Sequence, residues 1–426
     1  MKKFISLFLC FAFAIAVNAQ TMPKDADAKM WAKALAIHRK AIIVDGHNDI
    51  VSPMTDDDFD LGTSGLGKIH LTDGTPYHTD ITRFKAGGMT GEFFAIYVSG
   101  DTWKAGRAMS RAIDMVDAVY REVEKHPKEL TMCTTAADIR RAKKSGKLCV
   151  LMGIEGGYVI ENSLAALREF YRLGVRYMTL THNVTHDWAD AHRDTPKHNG
   201  LSDFGKEVVR EMNRLGMFID ISHVSVKVMN DALDVSTAPI IASHSSARAL
   251  NDHTRNVPDD VLKRVAKNGG VVMVNFYPGF LDARTNKEVN ERDARLKPQI
   301  DALQAQYKDD PKEFNIAQAK LLEANPIYMP SYTRIVDHID HIKKVAGIDH
   351  VGIGSDFDGV PMLPEGMHGA EDLVLITYEM LRRGYTETEI RKVLGENLLR
   401  AMSQMEGVAK IGTRKISGEG SLKRIK

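Results

Sequence analysis

The sequence predicts an α/β protein, a (β/α)8 TIM-type barrel, on three observations. Short, continuous apolar runs recur eight times, as expected of strands buried on both faces. Amphipathic helical patterns separate several of them, which is the alternation of a parallel barrel. Six of the runs end in His, Asp or Glu, as though aimed at one rim. A doubly wound open sheet is the alternative arrangement of the same elements.

The predicted strands lie at residues 41–44, 93–98, 148–154, 176–180, 217–221, 239–242, 270–274 and 351–354. Helical periodicity marks 164–173, 204–215, 226–233 and 261–267 between them. Residues 51–77 are rich in glycine and aspartate and are expected to form a long loop over one barrel face. Residues 278–328 are highly charged, with helical periodicity, and read as a helical insertion after the seventh strand. Residues 371–405 resemble two helices, the second opened by Thr386 and Glu389 at capping-box spacing.

No low-complexity linker divides the 426 residues, so one catalytic barrel domain is expected from residue 20 to 426. Residues 1–19 have the form of a signal peptide: Lys2 and Lys3, an apolar run at 4–17, and Val17-Asn18-Ala19 at the cleavage position. The expected protein is exported, periplasmic or secreted. It keeps no membrane anchor after cleavage, because the polar tail from Gly412 offers no second apolar segment. Cys133 and Cys149 remain and are expected as free, buried thiols, since two cysteines do not make a disulfide framework. Lys and Arg number 57 against 56 Asp and Glu, a net charge of +1, and hydrophobic residues make up 43%. That balance excludes a disordered chain and the basic excess of a nucleic-acid binder.

The strand ends carry the chemistry. They read Asp45-Gly46-His47-Asn48-Asp49, Ile154-Glu155-Gly156-Gly157, Thr181-His182-Asn183, Asp220-Ile221-Ser222-His223, Ser243-His244-Ser245 and Gly354-Ser355-Asp356-Phe357-Asp358. C-terminal ends of barrel strands share one rim, where active sites of this fold sit. Imidazole and carboxylate are the usual non-thiolate zinc ligands. His47 and Asp49 alternate onto one side of an extended segment. His223 and His244 are one βα step apart, and Glu155 has two oxygens with which to bridge. The expected centre therefore holds one metal at His47, Asp49 and Glu155 and a second at Glu155, His223 and His244, with room for a shared water. Each residue alone has a plainer role, as a hydrogen-bonded structural histidine or a turn-capping aspartate. Only their convergence makes a metal site. Asp220 is placed to support a liganding histidine, and Asn275 and Tyr277 to line the pocket.

These segments, with Arg255-Asn256-Val257-Pro258-Asp259-Asp260, resemble the membrane (renal-type) dipeptidases, a branch of the metal-dependent amidohydrolase barrels, in order over nearly the whole chain. The resemblance implies hydrolysis of dipeptides by a hydroxide bridged between two Zn2+ ions, with tolerance of D-residues at the C-terminal position. It implies that His182 contacts the scissile carbonyl, that Arg255 holds the substrate carboxylate, and that Asp356 moves protons and meets the amino group. Asp358 is an alternative to Asp356. The expected partners are small dipeptides, not nucleic acid, with a homodimer left open. Glu92-Phe93-Phe94, Val51 and the 278–328 insertion depart from the family pattern and bear on substrate range. Another amidohydrolase acting on amides or lactones, and an exported metal- or peptide-binding protein without catalysis, stand as alternatives.

Overall fold

A computed structural model describes residues 22–418. The signal-peptide segment at 1–19 and the end of the tail lie outside the described residues. Among the described residues, nine strands form one parallel sheet: β1 Val44–Asn48, β2 Gly91–Tyr97, β3 Leu130–Met132, β4 Leu148–Glu155, β5 Val175–Thr179, β6 Phe218–Asp220, β7 Ile241–Ala242, β8 Val271–Val274 and β9 Val351–Ile353. Their order is β1-β2-β4-β5-β6-β7-β8-β9, with β3 beside β4. A parallel bridge from Asn48 to Phe357 joins the two ends. Asp45 reinforces that seam by accepting from the Ser355 backbone N–H at 2.7 Å and from its hydroxyl. The barrel predicted from the apolar runs is therefore formed.

Side chains alternate along the strands. Val44, Phe93, Leu151, Tyr177, Phe218 and Met273 belong to one buried cluster that runs through the barrel to Leu398 and Met402 of the last helix, Asn397–Gly418. The intervening Phe94, Ile96, Met152, Ile154 and Ile219 pack in a second cluster with the surrounding helices. Helix ends follow local rules. Ser202 accepts from the Gly205 N–H at the start of Asp203–Leu215, and Gly216 closes it at φ 81°. Thr386 and Glu389 form the expected capping box.

Four sequence expectations are revised. The first strand spans Val44–Asn48 rather than 41–44, because its polar residues are buried in the wall and bonded across the seam. Residues 51–77 are not all loop, since Val51–Asp56 is a short helix. The 371–405 segment is broken into more than two pieces, Val374–Arg382, Glu387–Arg391 and the start of Asn397–Gly418. Cys133 and Cys149 are a disulfide, not free thiols. The cause is β3, three residues that carry no periodic signal. It pairs Thr131 with Cys149, leaving Cys133 just beyond with a Cα separation of 5.6 Å, within bridging range.

The insertion is helical, as expected: Pro278–Leu281, Ala283–Gln306 and Pro311–Glu323 follow β8, the seventh barrel strand. Asn286, Val289, Asn290 and Asp293 lie at i, i+3, i+4 and i+7 on the long helix and line the cavity at the C-terminal rim.

Candidate metal centre

β1 pairs Asp45 with Glu92 but Asn48 with Phe94, so it carries one extra residue, a bulge. The bulge lies beside Gly46, whose missing side chain leaves room for the Ser243 carbonyl and the Met273 thioether, at 2.8 Å from an added Cβ. His47 Nδ1 meets the Tyr177 hydroxyl at 2.6 Å. Its Nε2 is buried without a hydrogen-bond partner. That atom faces Asp49 Oδ2 at 3.2 Å and Glu155 Oε2 at 3.5 Å.

Glu155 ends β4. Its other oxygen, Oε1, lies 3.0 Å from His223 Nε2 and 3.3 Å from His244 Nε2. Those two ring nitrogens are 3.0 Å apart. One carboxylate thus divides its oxygens between two donor sets. The ligand atoms of His47, Asp49 and Glu155, and separately those of Glu155, His223 and His244, fall within 4.8 Å of one another. Asp356 groups in the same way with His47 and His244.

Partners behind the rings orient them. His223 Nδ1 donates to Asn183 Oδ1 at 3.2 Å, and His192 Nε2 reaches the same oxygen at 3.0 Å. His244 Nδ1 meets Ser243 Oγ at 2.7 Å, and that hydroxyl donates to Asp220 Oδ2 at 2.6 Å. Asp220 therefore supports a ring through Ser243 rather than directly. In each case Nδ1 holds the proton and Nε2 is left as a donor atom, the arrangement of metal-binding imidazoles.

Electrostatics agree. Burial pushes the Asp49 carboxyl up to about 7; the His47 ring opposes this, while Glu155 and Asp356 add to it. Burial also opposes ionisation of Glu155, but the rings of His47, His182 and His223 outweigh it and hold the carboxyl well below its ordinary value. Burial lowers His223 and His244, with Arg255 contributing. Burial opposes protonation of His47, but Tyr177, Glu155 and Asp49 outweigh it and raise the ring well above its ordinary value. Buried imidazoles gathered beside carboxylates, with the orphaned His47 Nε2 facing two of them, fit a divalent metal.

Asp356 and His223 both adopt positive φ, 64° and 62°. Held in this rarely occupied region, they are strained in the way common at functional sites. Asn275 Nδ2 donates to Asp356 Oδ2 at 2.7 Å, leaving Oδ1 free. Gly359 lies alongside, where any Cβ would overlap the Asp49 and Asp356 carboxylates. Asp358 is occupied elsewhere, accepting from the His78 backbone N–H at 2.8 Å and the Thr79 hydroxyl.

His182 stacks edge-on to Tyr97 at 4.8 Å and lies 4.4 Å from the His223 ring. Burial lowers it to about 4 despite Glu155, so it is neutral near pH 7. Arg255 is 2% exposed. Its Nη1 and Nη2 donate to Ser245 Oγ and to the His244 carbonyl, each at 3.1 Å, while Nε has no partner. Burial brings it down to about 10, still charged at neutral pH.

Every predicted site residue converges here. His182, Arg255, Asp356 and Tyr277 line one cavity of about 610 Å³ with Asp49, Glu155 and His223. His47 and His244 stand behind it, their rings stacked at 3.8 Å. Sequence reasoning missed Tyr177, Asn183, Ser243 and the cavity residues Arg193 and His253. The only signals were a tyrosine inside an apolar run and hydroxyl or amide residues beside candidate ligands.

A second group, Asp60, Glu122 and His126, also meets the distance condition for a metal. There His126 Nε2 contacts Asp60 at 2.7 Å and Glu122 at 3.2 Å, and Lys125 contacts Asp60 at 2.8 Å. Its carboxylates are neutralised by neighbouring side chains, and it fastens a loop to the helix Ala108–Lys125.

Residues 31–415 match the membrane dipeptidase family, peptidase family M19. Among solved structures, the probable dipeptidase PvdM from Pseudomonas aeruginosa is 26% identical, with a TM-score of 0.74 over 90% of this chain and 100% of that one. A dipeptidase AC, a metallopeptidase of family M19, is 27% identical, with a TM-score of 0.68 over 86% and 99%. A metallopeptidase from Rhodobacter sphaeroides, liganded with a phosphinate mimic of the dipeptide L-Ala-D-Ala, is 26% identical, with a TM-score of 0.67 over 86% and 100%.

Proposed function

The chain belongs to the membrane dipeptidase family and is a metal-dependent dipeptidase, and from that premise we propose that it holds two zinc ions bridged by Glu155 and cleaves dipeptides with a free C-terminal carboxylate. The observation that carries this is the divided carboxylate of Glu155, one oxygen toward His47 and the other toward His223 and His244. When bound, such ions supply a water of lowered pKa and polarise the scissile carbonyl.

The protein's own groups do the rest. Arg255 presents Nε and its spare Nη protons to the substrate carboxylate in two-point fashion. The neutral His182 ring donates an N–H to the carbonyl oxygen as negative charge develops there. Asp356, oriented by Asn275, accepts a proton at Oδ1 and delivers it to the leaving nitrogen. Tyr277 and the insertion helix wall the cavity and limit the substrate's length. Acceptance of a D-residue at the C-terminal position is proposed from the ligand of the Rhodobacter sphaeroides relative.

The test is Glu155→Gln. It is expected to lower kcat/KM on the order of a thousandfold, about 4 kcal/mol of transition-state stabilisation, while the circular dichroism of the barrel is unchanged. Full activity with two zinc ions still bound would exclude the bridging role.

We further propose export to an oxidising compartment. The leader-like residues 1–19 and the Cys133–Cys149 disulfide both favour it. N-terminal sequencing of the exported protein should begin at Gln20. A cell-retained chain that keeps its leader would contradict it.

A further inference from the structure

The cavity ends in a surplus of hydrogen-bond donors. Arg255 retains Nε and one proton on each Nη, enough for a single carboxylate. Beside it, His253 Nδ1 accepts the Arg255 backbone N–H at 3.1 Å. Burial and the nearby arginines lower that ring to about 4, so it is neutral and Nε2 carries its proton. No described residue accepts from that Nε2. Arg193, on the loop after β5, lines the same cavity and adds positive potential at Arg255 and His253. It is exposed, and no described residue forms an ion pair or side-chain hydrogen bond with it.

Outside the candidate metal centre, the acidic groups of the rim are already matched. Asp293 pairs with Arg292 at 3.1 Å, Asp73 with His70 at 3.2 Å, and Asp358 with His70 at 3.5 Å. Asp194, next to Arg193, accepts the backbone N–H groups of Thr185 and Thr195, each at 2.7 Å. Arg193, like Arg255, is thus a cationic group of the cavity without an ion pair among the described residues.

We propose that this end of the cavity reads two carboxylates, so that the preferred substrates are dipeptides whose C-terminal residue has an acidic side chain, with Arg255 on the main-chain carboxylate and Arg193 on the side chain. The proposal rests on the dipeptidase function above and specifies its substrate class. A flexible, exposed guanidinium suits a side chain of variable length, whereas the buried Arg255 suits the invariant main-chain group.

The experiment compares kcat/KM of the metal-replete enzyme for Ala-Ala, Ala-Gln, Ala-Glu and Ala-Lys, each with an L- or a D-residue second. Ala-Glu is expected to exceed its neutral isostere Ala-Gln by about fivefold or more, mainly through KM and less so in high salt. Arg193→Met should bring that ratio to about one, and Arg193→Glu should turn the preference toward Ala-Lys. A wild-type ratio near one, or a ratio that survives Arg193→Met, overturns the proposal. Ala-Ala reports on the parent function separately: if it and every other dipeptide resist the metal-loaded protein, dipeptide hydrolysis fails and the acidic preference falls with it.

Discussion

Tyr177 carries its hydroxyl across the barrel to His47, and that reach depends on Gly153. A Cβ at Gly153 would overlap the tyrosine ring. The two residues face each other because β5 gains one residue against β4, Met152 pairing with Val175 but Gly153 with Tyr177. The hydroxyl fixes the His47 ring so that Nε2 points at Asp49 and Glu155. Tyr177→Phe removes that anchor with little change of volume. Metal affinity is therefore expected to fall about 10- to 100-fold, measured by competition with a chelator, the range typical for lost partners of metal-binding histidines. Unchanged affinity would mean that the bulge alone orients His47. Glu92 is a different kind of buried group. Both its oxygens lack a hydrogen-bond partner, and burial raises its carboxyl well above the ordinary value, which favours the neutral form.

At the scale of elements, the segment between the short helix Val51–Asp56 and the helix Ile81–Ala86 is pinned to the rim by His70. Its Nδ1 faces Asp73 at 3.2 Å and its Nε2 faces Asp358 at 3.5 Å. Burial opposes protonation, but the two carboxylates outweigh it and raise the ring to about 9. Both acids are correspondingly lowered. Because the folded value exceeds the ordinary 6.5, this stabilisation is complete below about pH 6.5 and is lost as pH rises through about 9. Proteolysis near the 62% exposed Leu66 should accelerate several-fold between pH 8 and 10, and His70→Gln should show the fast rate already at pH 8. Equal rates for the two proteins at pH 8 would dismiss the pin. None of this was legible in the sequence, where residues 51–77 show only turn-forming composition. The barrel strands were legible because burial on both faces demands unbroken apolar runs. Strand β3 was not, since Leu130-Thr131-Met132 is too short to show a period, and with it went the disulfide. The residues that gather into the candidate metal groups were legible because chemistry restricts such residues to a few types at strand ends. Their supports Tyr177, Asn183 and Ser243 were not, since their roles depend on contacts between strands that no spacing reveals.

For the whole molecule, the consequence is that folding gathers more charge and polarity than the barrel mouth can satisfy by itself. β1 contributes His47, the segment leaving it Asp49, β4 Glu155, and the turns after β6, β7 and β9 His223, His244 and Asp356. These are buried, and the candidate ligand atoms of each group lie within 4.8 Å of one another. An unfolded chain scatters them and holds cations weakly, so bound metal contributes to folding free energy as RT ln(1 + [L]/Kd). At free zinc a thousandfold above Kd the expected contribution is about 4 kcal/mol per site. Urea unfolding of the native disulfide-bonded protein should therefore shift to lower urea after chelation and return on adding zinc. The slope with denaturant should stay nearly constant if the barrel remains closed without metal. Because protons compete for the same Nε2 atoms, the zinc-dependent shift should shrink at lower pH. Glu155→Gln should show a much smaller shift at every zinc concentration, since it weakens the oxygen donor common to both halves. Unfolding curves that coincide with and without zinc would show that this cluster satisfies its own charges, and the two-cation centre would have to be abandoned.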